Sequence, residues 1–159
     1  MATKREVQKQ IQIYGSEDAV IAAALEILRG RISDQRALSS PREVREFLQL
    51  NLQRQDHEVF WVIYLSAQHR VIAAEELFRG TLTQTSVYPR EVVKAALQRN
   101  AAAVIFAHNH PSGIAEPSHA DELLTRALRS ALALVDVTVL DHFIIGDERT
   151  MSFAERGLL

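Results

Sequence analysis

Runs that read as β-strand alternate along this chain with runs that read as α-helix, and that interleaving restricts the fold more than any single motif. Residues 58–66, EVFWVIYLS, are rich in β-branched and aromatic side chains and predict a buried strand. Residues 67–70 form a turn, and 71–78, VIAAEELF, return as a strand despite the poor strand propensity of Ala and Glu. Gly80 marks a bulge or turn. Pro89 then opens a helix that ends near Asn100, since proline is well placed at a first helical position. Residues 101–109, AAAVIFAHN, are an apolar strand, Ser118 starts a helix over 119–134, and 135–146, VDVTVLDHFIIG, are a long final strand. Residues 147–148 turn the chain into 151–159, a short strand or tail. Such interleaving predicts an α/β fold in which a mixed β-sheet is flanked by helices.

Two further helices precede the first strand. Ser16 caps a helix over 17–31, whose first turn is acidic. After a linker at 31–39, Ser40, Pro41 and Glu43 give the start of a helix running to about residue 54, with Ser40 as cap and Glu43 closing a capping box. The soft boundary near 31–40 divides the chain into an N-terminal helical segment, 1–37, and a main domain, 38–159. Lys4, Arg5 and Lys9 make a thin basic patch that reads as a solvated end.

Composition narrows the chemistry. The 159 residues contain no cysteine, so a disulfide, a thiolate nucleophile or a Cys-ligated metal is excluded, and any metal must be held by His, Asp or Glu. Net charge is −2, which gives nucleic acid no purely electrostatic hold on the chain. No apolar run reaches the roughly 18 residues of a membrane span. The first 15 residues lack the apolar core of a signal peptide, so the expected location is cytoplasmic, with no membrane partner.

The chemistry concentrates in residues 108–121, HNHPSGIAEPSHAD. His108 and His110 stand two apart at the end of a strand, which puts both side chains on one face. Pro111 keeps His110 extended, and Gly113 permits a sharp turn. Asp121 lies in the first turn of the next helix, where a carboxylate also suits the helix dipole. A strand end and a helix start can therefore face each other with two imidazoles and one carboxylate. Zinc accepts these N and O donors, and three protein ligands leave a fourth position for water, the catalytic form of such a site. Zinc lowers the pKa of that water to about 7, so a neighbouring carboxylate that is not a ligand can take its proton. Glu75 and Glu76 are the candidates, and because adjacent strand residues face opposite ways only one can serve. The structural alternative is plain: Ser118-x-x-Asp121 is nearly a capping box. Capping accounts for Ser118 and Asp121 but gives the histidines no role.

H-x-H, seven residues, then S-x-x-D is the signature of the MPN/JAMM metalloproteases. YPREVVKAALQRNAAAVIFAHNHPSG, AEPSHADELLTRAL, VLDHFIIGD and MSFAERGLL closely resemble the RadC-like proteins of bacteria, in family order over roughly 38–159. The resemblance implies a cytidine-deaminase-like fold and a zinc-dependent hydrolase of amide bonds, peptidase- or isopeptidase-like. It implies His108, His110 and Asp121 as zinc ligands, Ser118 as a contact to the oxyanion, and Glu75, ahead of Gly80-Thr81, as general base. It also carries a second reading, a DNA-repair-associated or mobile-element accessory module with a structural metal and no protease activity. Against the DNA-repair association stands the lack, before residue 40, of the paired glycines of a helix-hairpin-helix element, which full-length RadC-like proteins usually carry, whereas short forms of this kind resemble proteins carried on mobile elements. The expected partner is a peptide or protein substrate. A homodimer through apolar strands near a sheet edge is also expected.

Other residues receive structural assignments. Asp141 has a core or turn role and His142 is a partner behind the metal ligands. His57, His69 and His119 face solvent, Arg90 and Glu91 form an ion pair or cap, and Trp61 is core.

Overall fold

β3 (Ala103–Asn109) lies at the centre of the molecule, and all seven of its residues are buried. A computed structural model describes residues 8–9, 13, 15–33, 41–80 and 86–159. The elements, in chain order, are α1 (Glu17–Ser33), α2 (Pro41–Leu52), β1 (Val59–Leu65), β2 (Val71–Arg79), α3 (Pro89–Gln98), β3, α4 (His119–Ala133), β4 (Thr138–Ile145) and β5 (Thr150–Ser152). The strands form one five-stranded sheet in the order β2-β1-β3-β4-β5. β1 runs antiparallel to β2 and β3, β4 runs parallel to β3, and β5 runs antiparallel to β4. This is the mixed, helix-flanked α/β fold that the interleaving predicts. Among the described residues no helix is long and apolar enough to cross a membrane.

The period-two alternation of β3 sorts its side chains into two cores. On one face Val44, Phe47, Leu48 and Leu52 of α2 cover Ile63, Ala103, Ile105, Ala107 and Phe143. On the other, Val92 and Ala96 of α3 and Leu128 and Leu132 of α4 cover Phe60, Val62, Val104 and Phe106. Fully burying one such side chain is worth about 1.5–3 kcal/mol. Continued along β3, the same alternation sends His108 toward α3 and α4 and Asn109 toward α2.

Several boundaries shift from expectation for local reasons. α1 extends to Ser33, so the first residues of the expected linker are helical. Ser16 does cap it, its Oγ accepting from Ala19 N at 3.1 Å. Ser40, Lys4 and Arg5 lie outside the described residues. The hairpin turn is held by Ser66, whose Oγ accepts from Gln68 N and Arg70 N, with His69 in the left-handed region at φ 56°. The bulges fall inside β2 rather than at Gly80. The register skips Leu77 and Ile72, and Gly80 N donates to Glu58 O at 2.8 Å.

Trp61 is half-buried, edge-on to Phe47 at 6.2 Å. His69 and His119 are exposed, but His57 is half-buried in the segment before β1. Glu91 pairs with Lys94 at 3.6 Å, one helical turn on, rather than with Arg90. Asp141 does structural work: its carboxylate accepts from His142 N, Ser152 Oγ and Ala154 N, which fastens β5 and the turn after it to β4.

Candidate metal centre

β3 ends where the chain needs to turn, and both histidines stand at that end. Phe106 and His108 share a face, and His110, just past the strand, donates its backbone N–H to Ile145 O at 3.0 Å. That bond prolongs the extended geometry through both histidines. The chain then turns at Gly113, which has φ 78°. A Cβ there would fall 2.3 Å from a carboxylate oxygen of Asp147, so the turn needs glycine. The returning chain starts α4 at Ser118. Ser118 Oγ accepts from Asp121 N, and the Asp121 side chain accepts from Ser118 N, a complete capping box.

The box sets the rotamer of Asp121 and aims the carboxylate back at β3. Asp121 Oδ1 lies 3.3 Å from His108 Nε2, and Oδ2 lies 3.5 Å from His110 Nε2. The two Nε2 atoms are 3.0 Å apart. Capping and metal ligation are therefore two uses of one geometry. His108, His110 and Asp121 together form a group able to hold a metal ion.

The donor spacing tests whether a metal fits. Zinc bonds of about 2.0–2.2 Å in tetrahedral geometry put ligand atoms about 3.3–3.6 Å apart. The three separations bracket the lower edge of that window. The orientation fits too. His110 Nδ1 is 2.8 Å from Ile114 O, and a carbonyl can only accept, so Nδ1 carries a proton and Nε2 is the nitrogen left to face a metal.

Electrostatics follow from the crowding. Burial acts to raise the Asp121 pKa, but hydrogen bonds from His108, His110 and Ser118 hold it well below the usual carboxylate range. The His110 imidazole is pushed up, first by its hydrogen bond to Asp121, with burial opposing and with support from Ile114 O and the charges of Asp121 and Glu58. His142 is pushed well down, first by burial and then by the neighbouring His108.

Ser118 stands at the rim. Its hydroxyl donates to Asp121 Oδ2 at 2.6 Å. Glu75 is elsewhere. It pairs with Val62, level with Phe106 rather than His108, and two strands from β3. Its carboxylate holds the Arg99 guanidinium, which stacks on Tyr64 at 4.7 Å. Glu76 belongs to the other sheet face beside Trp61 and forms a two-pronged pair with Arg79 at 2.6 and 2.8 Å. The expectation that Glu75 or Glu76 reaches the cluster is thus corrected. β2 is the edge strand, and the register carries both carboxylates past the site.

The acidic residue the register does bring there is Glu58. Phe60 pairs with His108 in an antiparallel ladder, so two residues back along β1 corresponds to two residues on along β3, which is His110. The effect of Glu58 on His110 agrees with that placement. A signal existed in the sequence. The ligands sit at the C-terminal end of β3, and an antiparallel neighbour offers its N-terminal end there.

Asn109, between the two histidines, faces the opposite side and is also buried. Its Oδ1 accepts from Val59 N at 2.8 Å, and its Nδ2 donates to His57 O at 3.0 Å and Gln55 O at 3.4 Å. These contacts bracket Glu58 and tie its segment to the strand that bears both histidines.

Comparison with known proteins places this arrangement in context. The family model for the RadC-like JAB domain matches residues 38–158. A UPF0758 protein of Leptothrix cholodnii is 64% identical over 143 residues, covering 87% of this chain and 64% of that protein. A UPF0758 protein of Nitrosospira multiformis is 63% identical over 146 residues, covering 92% and 65%. One from a Polaromonas species is 56% identical over 162 residues, covering 99% and 72%. This chain thus spans 64% and 65% of the length of the first two relatives.

Proposed function

Because this chain belongs to the RadC-like JAB domain family, we propose that it is a zinc-dependent hydrolase of amide bonds, acting on a peptide or isopeptide link in a protein substrate. The observation that carries the proposal is the triangle of His108 Nε2, His110 Nε2 and the Asp121 carboxylate, with sides of 3.0, 3.3 and 3.5 Å. Two imidazoles and one carboxylate suit zinc, and the chain has no thiol to compete. When bound, the metal supplies Lewis acidity toward a carbonyl oxygen and makes a water more acidic.

The residues divide the remaining work. His108, His110 and Asp121 hold the ion. Glu58, rather than Glu75, is assigned as general base. It takes a proton from the attacking water and returns it to the leaving amine as the C–N bond breaks and the new C–O bond remains. The support for Glu58 is the β1–β3 register. Ser118 supplies a hydroxyl at the rim. Turning its hydrogen from Asp121 Oδ2 toward the substrate oxygen would stabilise the developing oxyanion.

The test uses a mixed library of peptides and isopeptide-linked peptides, cleaved by the zinc-loaded protein and read by mass spectrometry. Glu58→Gln should keep its zinc and lose turnover by about 10²–10⁴-fold, the usual share of general acid–base catalysis. Glu75→Gln should cleave as the wild type does. Cleavage that survives Glu58→Gln but not Glu75→Gln would reverse the assignment. Zinc retention with no cleavage of any link would favour a structural metal in an accessory module.

A further inference from the structure

Behind His108 lies a chain of hydrogen bonds that reaches into α4 and contains no water-exposed atom of His142. His108 Nδ1 is 2.8 Å from His142 Nε2. His142 Nδ1 is 2.7 Å from Thr125 Oγ1. Thr125 Oγ1 is 2.6 Å from Asp121 O. His142 is fully buried and Thr125 nearly so. The rings of Phe60, Phe106 and Phe153 surround His142, with centroids at 5.6, 5.8 and 4.9 Å.

The protons in this chain can be counted from one end. Asp121 O and Thr125 Oγ1 are too close to lack a proton between them, and a carbonyl has none to give. The Thr125 hydrogen is therefore committed to Asp121 O. The Thr125 oxygen can then only accept from His142, so His142 carries its proton on Nδ1. An imidazolium walled in by three phenyl rings would be poorly solvated, so His142 stays neutral and Nε2 has a lone pair. The contact at 2.8 Å must then use a proton from His108 Nδ1. Its Nδ1 proton is thereby committed to His142, so once His108 is neutral, as a metal ligand must be, the lone pair falls on Nε2, facing His110 and Asp121.

We propose that Thr125 and His142 are positioning residues that fix the tautomer of His108, so that its Nε2 lone pair is held ready for a metal ion. The relay starts and ends on metal-binding residues, because Asp121 supplies both the carbonyl that commits the Thr125 proton and a carboxylate ligand. The proposal rests on the metal-site reading above. It assigns Thr125, two hydrogen bonds away from any ligand nitrogen, a measurable effect on metal binding.

The experiment measures zinc affinity by competition with a chromophoric chelator for wild type, Thr125→Val and Thr125→Ser, together with imidazole ¹⁵N spectra of the metal-free proteins. Thr125→Val should bind zinc about ten- to a hundred-fold more weakly, the usual effect of losing an outer partner of a ligand, and Thr125→Ser should recover most of that loss. Wild-type His142 should show its proton on Nδ1, and Thr125→Val should move it to Nε2. Zinc binding by Thr125→Val within twofold of wild type overturns the proposal, as does Thr125→Ser binding as weakly as Thr125→Val. A merely structural threonine would lower the melting temperature of Thr125→Val and leave the His142 tautomer in place. If wild type binds no zinc, the hydrolase reading fails, and the tautomer in the metal-free sample decides this proposal alone: Nδ1–H supports it and Nε2–H overturns it.

Discussion

Replacing Asn109 by alanine should destabilise the protein far more than its loop-edge position in the sequence suggests. The carboxamide is 3% exposed and makes two good hydrogen bonds and one long one. In the variant, Val59 N–H loses its acceptor in a fully buried position. An unsatisfied buried amide costs about 1–3 kcal/mol, and the lost bond to His57 O adds about 1 kcal/mol. The contact to Gln55 O at 3.4 Å is too long to add much. The expected loss is therefore about 2–4 kcal/mol. For a chain of this size, that lowers the melting temperature by about 4–16 °C. Urea unfolding of wild type and Asn109→Ala gives the difference directly, and hydrogen exchange locates it. The Val59 amide should exchange faster in the variant by more than the global loss accounts for, while the amides of β4 should speed up only by that global loss. A loss below about 1 kcal/mol, or exchange at Val59 that speeds up no more than in β4, would refute the view that Asn109 clamps the segment carrying Glu58.

Further predictions concern the core, the buried histidine and the metal. Leu48→Ala, at a fully buried position of α2, should cost about 2–5 kcal/mol by urea unfolding, because Leu48 belongs to the core that α2 forms against one sheet face. His142 has a depressed folded pKa, so its contribution is constant above about pH 6.5, and stability falls below that as the unfolded chain takes up a proton that the folded one refuses. Subtracting the stability–pH curve of metal-free His142→Gln from that of metal-free wild type should isolate this slope, and parallel curves would contradict it. Saturating zinc at a thousand times its dissociation constant should stabilise wild type by about 4 kcal/mol, and chelation should reverse the shift in melting temperature.

The interleaved periods make the architecture legible in the sequence, because period two at 101–109 and helical spacing at 119–134 each stand for one element. The donor set is legible for a similar reason. H-x-H uses strand alternation and S-x-x-D uses a helix cap, and both are local rules. What local rules cannot supply is register. Glu58, Glu75 and Glu76 all lie in or beside the β1–β2 hairpin, and only the pairing of Phe60 with His108 separates them. The partners of Asn109 and His142 are nonlocal in the same way, lying about 50 residues and 34 residues away along the chain. Asn109 also shows why a polar residue between two ligands need not be one: strand alternation turns it to the opposite face, where it holds the neighbouring segment.

The most direct test of the account is the metal content of the protein purified without chelator, measured by elemental analysis for wild type and for His108→Ala/His110→Ala. The account predicts about one zinc per chain in wild type and none in the folded double variant. No metal in wild type, or zinc retained in the double variant, would contradict it.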